Sequence, residues 1–348
     1  MSSLHFAIPG NKEDAPTRRA RLFVAALIAC YGIGWLLGDR WLNPTLPTDF
    51  DQVWYAARAL RLGLNPYQVI GPAGFWYRMP WPLYYPLPAI ILIWPLSFVP
   101  LFLARCLFLG LSSALLAYGV TRRSWLPLLI FVSGSYMEAA RLAQWSPLFA
   151  ASLAMPLLSV CFPAKPSAAA LCGPAVQWRR RQVAAVMVCW VALLITAWVI
   201  LPTWLGDWLV TLHQTPHIRS MLVAPGGVLL LGAILRWRRP EGRLLFAYAV
   251  VPHNASAYEA LPVLLVATSR PEFTLLGVGS VCAFILQTQV QWPLVMGSHF
   301  PVGNIFCVYL PALVMVLRRR NEGSVPEWLE RWIAAAPAWV RGYRAASA

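Results

Sequence analysis

Long apolar stretches separated by short basic ones recur between residues 21 and 317 of the sequence. The first, Leu22 to Gly38, leads into Asp39 without a small-residue cleavage site, so it predicts a retained spanning helix rather than a signal peptide. Since a spanning helix needs about 20 mostly apolar residues, further candidates are 82–120, 124–140, 147–163, 183–201, 220–235, 243–252, 259–270, 273–290 and 302–317. The pattern predicts an all-α integral membrane protein, a polytopic bundle of roughly 9–11 spans in one domain.

Composition supports this prediction, because 59% of the residues are hydrophobic and only 12% are charged. A soluble surface cannot be built from so few polar side chains. The formal net charge of +15 also occurs in nucleic-acid-binding proteins, but the arginines here stand in short clusters between apolar stretches, without a polar face interleaved with aromatics. We therefore expect these clusters to contact membrane lipids, and we expect no nucleic-acid partner.

The basic clusters also predict the orientation of the chain, since cytoplasmic loops are enriched in lysine and arginine. Four clusters mark candidate cytoplasmic loops: Arg122-Arg123, Lys165 to Arg181, Arg236 to Arg243 and Arg318 to Arg320. With residues 1–20 also cytoplasmic, the first loop at 39–82 faces outward, and we expect a multi-pass protein of the inner (plasma) membrane with both termini in the cytoplasm. The four clusters can lie on the same side of the membrane only if residues 82–120 cross it once. This predicts that the proline-rich Pro82–Val99 is interfacial or re-entrant.

The tail at 318–348 has a different pattern. Ser324 to Glu327 form a capping box, and aromatic residues follow near helical spacing with arginines between them. This predicts an amphipathic helix on the cytoplasmic surface. The seven cysteines of the chain show no metal-ligand spacing, and we expect neither a metal nor another cofactor.

The first outward loop carries the clearest local pattern, a capped helix over 48–61 that ends at a Gly-Leu-Asn-Pro turn. Thr48 or Asp49 can cap it, so Asp49 lies at the helix N-terminus. Two interpretations are open. The acid can simply satisfy free amide groups and the helix dipole. Alternatively it is a functional carboxylate, since Asp49 and Asp51 are two of only 13 acidic residues and lie beside a predicted membrane surface.

The run D-F-x-x-x-W-x-A-A-R-A-L-x-x-G-x-N-P-Y at 49–67, followed by Tyr-Pro-Leu at 85–87, resembles glycosyltransferase family 87 of the GT-C superfamily. Ala-Gln-Trp-Ser at 143–146 stands where that family often has Gly-Gln-x-Asn. The resemblance implies a GT-C-like bundle that transfers a sugar, with mannose expected, from a polyprenyl-phosphate donor. It also implies that Asp49 is the catalytic base, with Asp51 as a neighbour in the site.

An inverting transfer needs a base for the acceptor hydroxyl and donor groups for the leaving phosphate. The further candidate residues are Arg58, Arg78, Arg141, Gln144, His253 and Glu259, with Trp54, Trp76 and Trp81 as possible contacts of donor or acceptor. Structural interpretations stay open, because arginines and tryptophans are common at membrane interfaces and a lone histidine is often a satisfied buried residue. Lys165 is assigned to a cytoplasmic loop and left out of the site.

Two other hypotheses compete with a glycosyltransferase. One is a non-catalytic subunit of a membrane assembly that has kept a GT-C-like architecture, and the other is a secondary transporter. A transporter predicts an inverted repeat and acids near the bilayer midplane in both halves, and neither is visible in the sequence. The leading hypothesis implies three kinds of partner: membrane lipids, a polyprenyl-phosphate sugar, and a lipid or glycan acceptor.

Overall fold

The computed structural model describes residues 15–44, 46–213, 219–289 and 300–322. The protein is 74% helical with almost no strand, which confirms the predicted helical class. In chain order the α-helices and strands are α1 (Arg18–Leu42), α2 (Asp49–Arg61), α3 (Pro66–Val69), β1 (Ile70–Gly71), β2 (Tyr77–Arg78), α4 (Leu87–Ile93), α5 (Leu101–Val120), α6 (Gly134–Arg141), α7 (Ser146–Ala154), α8 (Pro166–Cys172), α9 (Arg180–Ile200), α10 (Trp204–His213), α11 (Pro240–Val250), α12 (Leu261–Leu264), α13 (Arg270–Gln289), α14 (Phe300–Asn304) and α15 (Leu310–Leu317).

Three helices of the described chain, α1, α5 and α9, are long and apolar enough to cross a membrane. They indicate a membrane protein. Shorter apolar helical segments cover Leu87–Phe98, Gly227–Arg236 and Val302–Leu317. Each of these is below the about 20 residues that a full crossing requires, so the roughly 9–11 spans expected from the sequence are not matched by as many long helices.

Helices α1 and α5 pack against each other in opposite directions. At one end the Arg21 guanidinium lies 4.0 Å from the centre of the Tyr118 ring, and further along a Cβ on Gly110 would lie 3.1 Å from Ile33. A small residue at such a contact lets two helices approach closely. The C-terminal end of α1 and the N-terminal end of α5 therefore lie together, and the first loop starts there.

Helix α2 confirms the capped helix predicted in that loop. Thr48 precedes it, and the Thr48 backbone amide and hydroxyl donate to the Asp51 carboxylate at 2.8 and 2.6 Å, closing a capping box. After the last turn Gly63 adopts a φ of 73°, a conformation that costs glycine little and stops the helix. Asn65 then caps α3 by accepting a hydrogen bond from the Tyr67 amide.

The segment between the first loop and α5 is too short to cross a membrane. Helix α4 continues into a 3₁₀ turn over Trp94–Phe98 and lies along α2, where the Trp54 indole donates to the Leu96 carbonyl at 3.0 Å. Arg61 donates to the Ser97 carbonyl at 2.8 Å on the same side. This geometry agrees with a single crossing by α5 within 82–120, preceded by a non-spanning piece.

Several of the stretches that read as spans in the sequence are divided into shorter helical segments. The first part of 124–140 is a 3₁₀ helix, Leu126–Val132, and only the second part is α6. Likewise α7 gives way to a 3₁₀ helix over Pro156–Ala164. In 147–163, Pro156 disfavours a helical conformation at Met155, so α7 ends at Ala154. In 124–140 the break lies at Ser133, which is extended.

Ion pairs join three segments where α15 ends. The Arg319 guanidinium lies 2.7 Å from Glu272 and 3.7 Å from Glu241, and Arg236 donates to the Leu317 carbonyl at 2.6 Å. These contacts tie the end of α15 to the beginnings of α11 and α13. The predicted amphipathic helix over 324–348 lies outside the described residues, as do residues 1–14 of the predicted cytoplasmic N-terminal segment.

Candidate functional site around Asp49

Asp49 is the first residue of α2 and is half-buried. The Gln144 side-chain amide donates a hydrogen bond to its Oδ2. In the described part of the chain no lysine, arginine or histidine lies within ion-pair distance of this carboxylate. Asp49 is therefore a carboxylate that the fold positions through one amide and leaves otherwise unpaired.

Gln144 reaches Asp49 because of an unusual turn after α6. The chain leaves that helix through Ala143, which has a φ of 49°, a left-handed conformation that non-glycine residues adopt at a cost. The Gln144 amide then returns to the Ala139 carbonyl at 2.8 Å. This position is a glycine in the motif that the sequence resembles, and the backbone conformation supplies a physical reason for glycine there.

Lys165 lies at the same site, so the prediction that left it out of the site is wrong. Its ammonium contacts the Glu259 carboxylate at 2.5 Å and lies 4.9 Å from the centre of the Tyr258 ring. Its positive charge also acts on Asp49. The sequence interpretation failed because it treated 147–163 as one continuous span, whereas α7 and the following 3₁₀ helix bring Lys165 back to the site.

Several effects on the pKa of Asp49 oppose one another, and the net result is a raised pKa. Burial raises the pKa of Asp49 above its usual value, and the negative charges of Asp51 and Glu259 act in the same direction. The positive charge of Lys165 and the hydrogen bond from Gln144 oppose this and favour the carboxylate. A raised pKa makes Asp49 a stronger proton acceptor when ionised than an exposed aspartate.

Glu259 and His253, two other candidates from the sequence, lie near Lys165. Glu259 is buried, and its charge is neutralised by Lys165. His253 is 1% exposed; its Nδ1 lies 2.8 Å from the Val251 carbonyl, and its Nε2 has no hydrogen-bond partner among the described residues. Burial lowers the pKa of His253, so the imidazole is neutral at neutral pH and can exchange a hydrogen bond with a hydroxyl.

Several buried polar atoms of Gln144, of the two residues after it and of His253 lack a hydrogen-bond partner within the described chain. In addition to His253 Nε2 they are Gln144 Oε1, Trp145 Nε1 and Ser146 Oγ. Buried polar atoms are almost always hydrogen bonded, so each exception requires an explanation. Gln144 Oε1 belongs to the amide that holds Asp49, so it can accept a hydrogen bond from a hydroxyl group there.

Asp51 has a different environment from Asp49. It is 0% exposed, and the Arg105 guanidinium donates to both of its oxygens at 2.7 and 2.5 Å. The Thr48 hydrogen bonds of the capping box occupy the same carboxylate. Because its oxygens are engaged within the protein, Asp51 fixes α2 on α5 and is not available as a second base.

Two of the predicted phosphate-binding arginines are exposed and form no ion pair with Asp49 in the described part of the chain. Arg58 is exposed and stacks over Trp54 at 4.9 Å, nine residues along α2 and hence about 13 Å from Asp49 in the axial direction. Arg78 is exposed on β2. Arg141 is the last residue of α6 and precedes Gln144 by three positions. Its guanidinium lies 3.5 Å from the Glu138 carboxylate.

The three predicted aromatic contacts have mainly packing roles. Trp54 is 3% exposed and is held by the Leu96 carbonyl. Trp76 and Trp81 are half-buried near the two short strands. Tyr85 and Tyr258, which the sequence interpretation did not select, are buried and electrostatically coupled to Asp49. Tyr85 belongs to the Tyr-Pro-Leu run, so that motif was a usable signal.

Comparisons with protein-family models, with curated proteins and with solved structures found no match to this chain. The described residues also contain no group of three or more His, Cys, Asp or Glu side chains arranged to hold a metal ion. The chemistry open to this site is therefore judged from its own groups: one unpaired carboxylate, one amide that positions it, and a neutralised lysine nearby.

Proposed function

We propose that the protein is a membrane glycosyltransferase that moves a sugar, with mannose as the first candidate, from a polyprenyl-phosphate donor to a lipid or glycan acceptor. The observation that carries this proposal is the unpaired, half-buried carboxylate of Asp49, oriented by Gln144. The sequence resemblance to glycosyltransferase family 87 supplies the reaction class. We further propose that transfer occurs at the outer face of an inner membrane, with both termini in the cytoplasm.

In the proposed reaction, the acceptor hydroxyl oxygen forms a bond to the anomeric carbon of the donor sugar. The bond between that carbon and the phosphate oxygen breaks, and its electron pair leaves with the polyprenyl phosphate. The hydroxyl proton goes to the Asp49 carboxylate, which is ionised before the step. Such proton transfer to a positioned base contributes about 10²–10⁴-fold to the rate.

Asp49 is better suited to this role than the other acids near it. The Glu259 carboxylate is paired with Lys165 at 2.5 Å, and the Asp51 carboxylate is paired with Arg105 at 2.5 Å. A paired carboxylate must break its ion pair before it can take a proton, which costs free energy. Lys165 acts as a positioning residue that favours the ionised form of Asp49 through its charge.

The test is sugar transfer by purified protein from a panel of polyprenyl-phosphate sugars, with a total lipid extract as the source of acceptor. Wild type is expected to release sugar from at least one donor, and Asp49→Asn is expected to be slower by about 10²–10⁴-fold. Glu322→Gln is the matched control, because it neutralises a carboxylate that is 67% exposed and outside the site. It should transfer sugar as wild type does.

Two outcomes would overturn the proposal. An Asp49→Asn protein with wild-type turnover would show that Asp49 is not the base. A folded wild-type protein that releases no sugar from any donor of the panel, and is isolated as part of a larger assembly, would favour the non-catalytic subunit instead.

A further inference from the structure

A cavity of about 500 Å³ lies between α1, α6 and α13. Its walls include Tyr31, Gly34, Trp35 and Gly38 of α1, Arg141 of α6 and Phe284 of α13. The volume is in the range of about 300–1,000 Å³ that is common for ligand sites. The lining is largely apolar with a guanidinium on one side, which is the composition of a site for an amphiphile with an anionic head.

Two glycines open the wall that α1 contributes. A Cβ at Gly34 or Gly38 would meet nothing within 4 Å, and because these residues are four apart they lie on the same face of the helix. Gly32, in contrast, faces the core, where a Cβ would collide with the Tyr136 hydroxyl and lie 3.1 Å from Ser113. The empty space therefore lies on one face of α1, where Tyr31 and Trp35 also line the cavity.

The charge of Arg141 is only partly satisfied by the protein. Its contact with Glu138 is 3.5 Å, longer than the about 2.7–2.9 Å of a strong charge-assisted hydrogen bond, and its buried Nε has no partner among the described residues. The same Glu138 oxygen receives a 2.6 Å hydrogen bond from Gln287. Asp39 also borders the cavity, but its carboxylate is already paired with Arg40.

The cavity is connected to the candidate site through a short piece of chain. Arg141 is the last residue of α6, and Gln144, three residues later, holds the Asp49 carboxylate. The turn from Arg141 to Gln144 therefore belongs to the cavity wall at one end and to the candidate site at the other. Lys165 is less suited to bind the phosphate, because Glu259 already neutralises it.

We propose that this cavity binds a polyprenyl phosphate, with the isoprenoid chain along Gly34 and Gly38 and the phosphate on Arg141. The inference rests on the proposed function and specifies where its donor is held. A guanidinium matches a phosphate bidentately. The glycine face provides the smooth apolar surface that a branched chain requires.

Binding is measured separately from transfer, by native mass spectrometry of the purified full chain in detergent, with undecaprenyl phosphate and the neutral alcohol undecaprenol as probes. Gly34→Leu fills the cavity and is expected to weaken the binding of both lipids by about tenfold. Arg141→Gln is expected to weaken only the binding of undecaprenyl phosphate, by about 10–100-fold. Unchanged undecaprenol binding by that variant demonstrates that it is folded.

Gly277→Leu is the matched control, since Gly277 on α13 also has open space around its Cβ but does not line the cavity. It should bind both probes as wild type does. Wild-type affinities in Gly34→Leu and Arg141→Gln would overturn the inference. So would equal competition by phosphatidylglycerol, which would assign the cavity to ordinary membrane lipid.

The two proposals fail in different ways. Cavity-dependent binding of undecaprenyl phosphate without sugar transfer from any donor would support the binding site and overturn the proposed function. Sugar transfer that depends on Asp49, together with unchanged lipid binding in both cavity variants, would support the enzyme and overturn the location of its donor.

Discussion

Ala143 illustrates how a single backbone angle supports the candidate site. Its left-handed φ of 49° directs the chain so that Gln144 reaches Asp49, and it is the one non-glycine residue with positive φ in the described chain. Strain of this kind persists when surrounding contacts hold it, and it is found most often at functional sites. The side chain of Ala143 is fully buried, and its contacts offset part of this strain.

Replacing Ala143 with glycine should relieve this strain. We expect Ala143→Gly to raise the free energy of unfolding by about 1 kcal/mol, because glycine adopts the left-handed conformation without the Cβ clash. Thermal unfolding in detergent measures the change. Ala140→Gly, the same substitution inside α6, is the control and should lower stability by about 1 kcal/mol. Equal destabilisation by both variants would contradict the account of the turn.

Asp49 and Asp51 show why residue type alone does not define a role. Both were candidates on sequence grounds, yet Asp49 is unpaired and Asp51 is held by Arg105 and Thr48. Burial raises the pKa of Asp49, so its contribution to stability is present below the unfolded-state pKa and is lost as pH rises through the folded-state pKa. At neutral pH, Asp49→Asn should therefore unfold at the wild-type temperature or above it, whatever happens to activity.

At the scale of elements, α2 is held in place by a contact that its own sequence does not reveal. The Asp51–Arg105 pair joins the first turn of α2 to α5 across 54 positions of sequence. The helix itself was predictable from its capping residues, its apolar face and the turn after it. Its partner was not, because local patterns carry no information on which distant arginine a buried acid will contact.

Breaking this pair should destabilise the fold. Asp51→Asn leaves Arg105 with a largely buried, unpaired charge, and we expect a loss of about 3 kcal/mol in the free energy of unfolding. Chemical denaturation in detergent measures it. Arg105→Gln should cost a similar amount, and the double variant should lose clearly less than the sum of the two. Additive losses would mean that the two residues do not act as a pair.

The broken spans show a second limit of local patterns. Apolar stretches such as 147–163 satisfy the composition of a spanning helix, but α7 ends before Pro156 and a 3₁₀ helix follows. Hydropathy alone does not register this change, and Lys165 was consequently assigned to the wrong surroundings. Its rarity, as one of two lysines in the chain, was the signal available in the sequence.

At the scale of the whole molecule, the proposed orientation places the loop that carries α2 outside the membrane and the basic residues at 122–123 in the cytoplasm, with α5 crossing between them. Leu62 is 61% exposed just after α2, and Arg122 is exposed just after α5. In a cysteine-free background, a membrane-impermeant maleimide added to intact cells should label Leu62→Cys and not Arg122→Cys. After permeabilisation both should react. Labelling of both in intact cells would mean that α5 does not cross the membrane.

The central claim is that Asp49 accepts the proton during sugar transfer, and single-turnover transfer across a range of pH tests it most directly. With equal amounts of folded protein, the wild-type rate should fall as pH decreases through the raised pKa of Asp49, because only the carboxylate accepts a proton. Asp49→Asn should be about 10²–10⁴-fold slower at neutral pH. A rate for Asp49→Asn equal to that of wild type, with the same pH profile, would contradict the account.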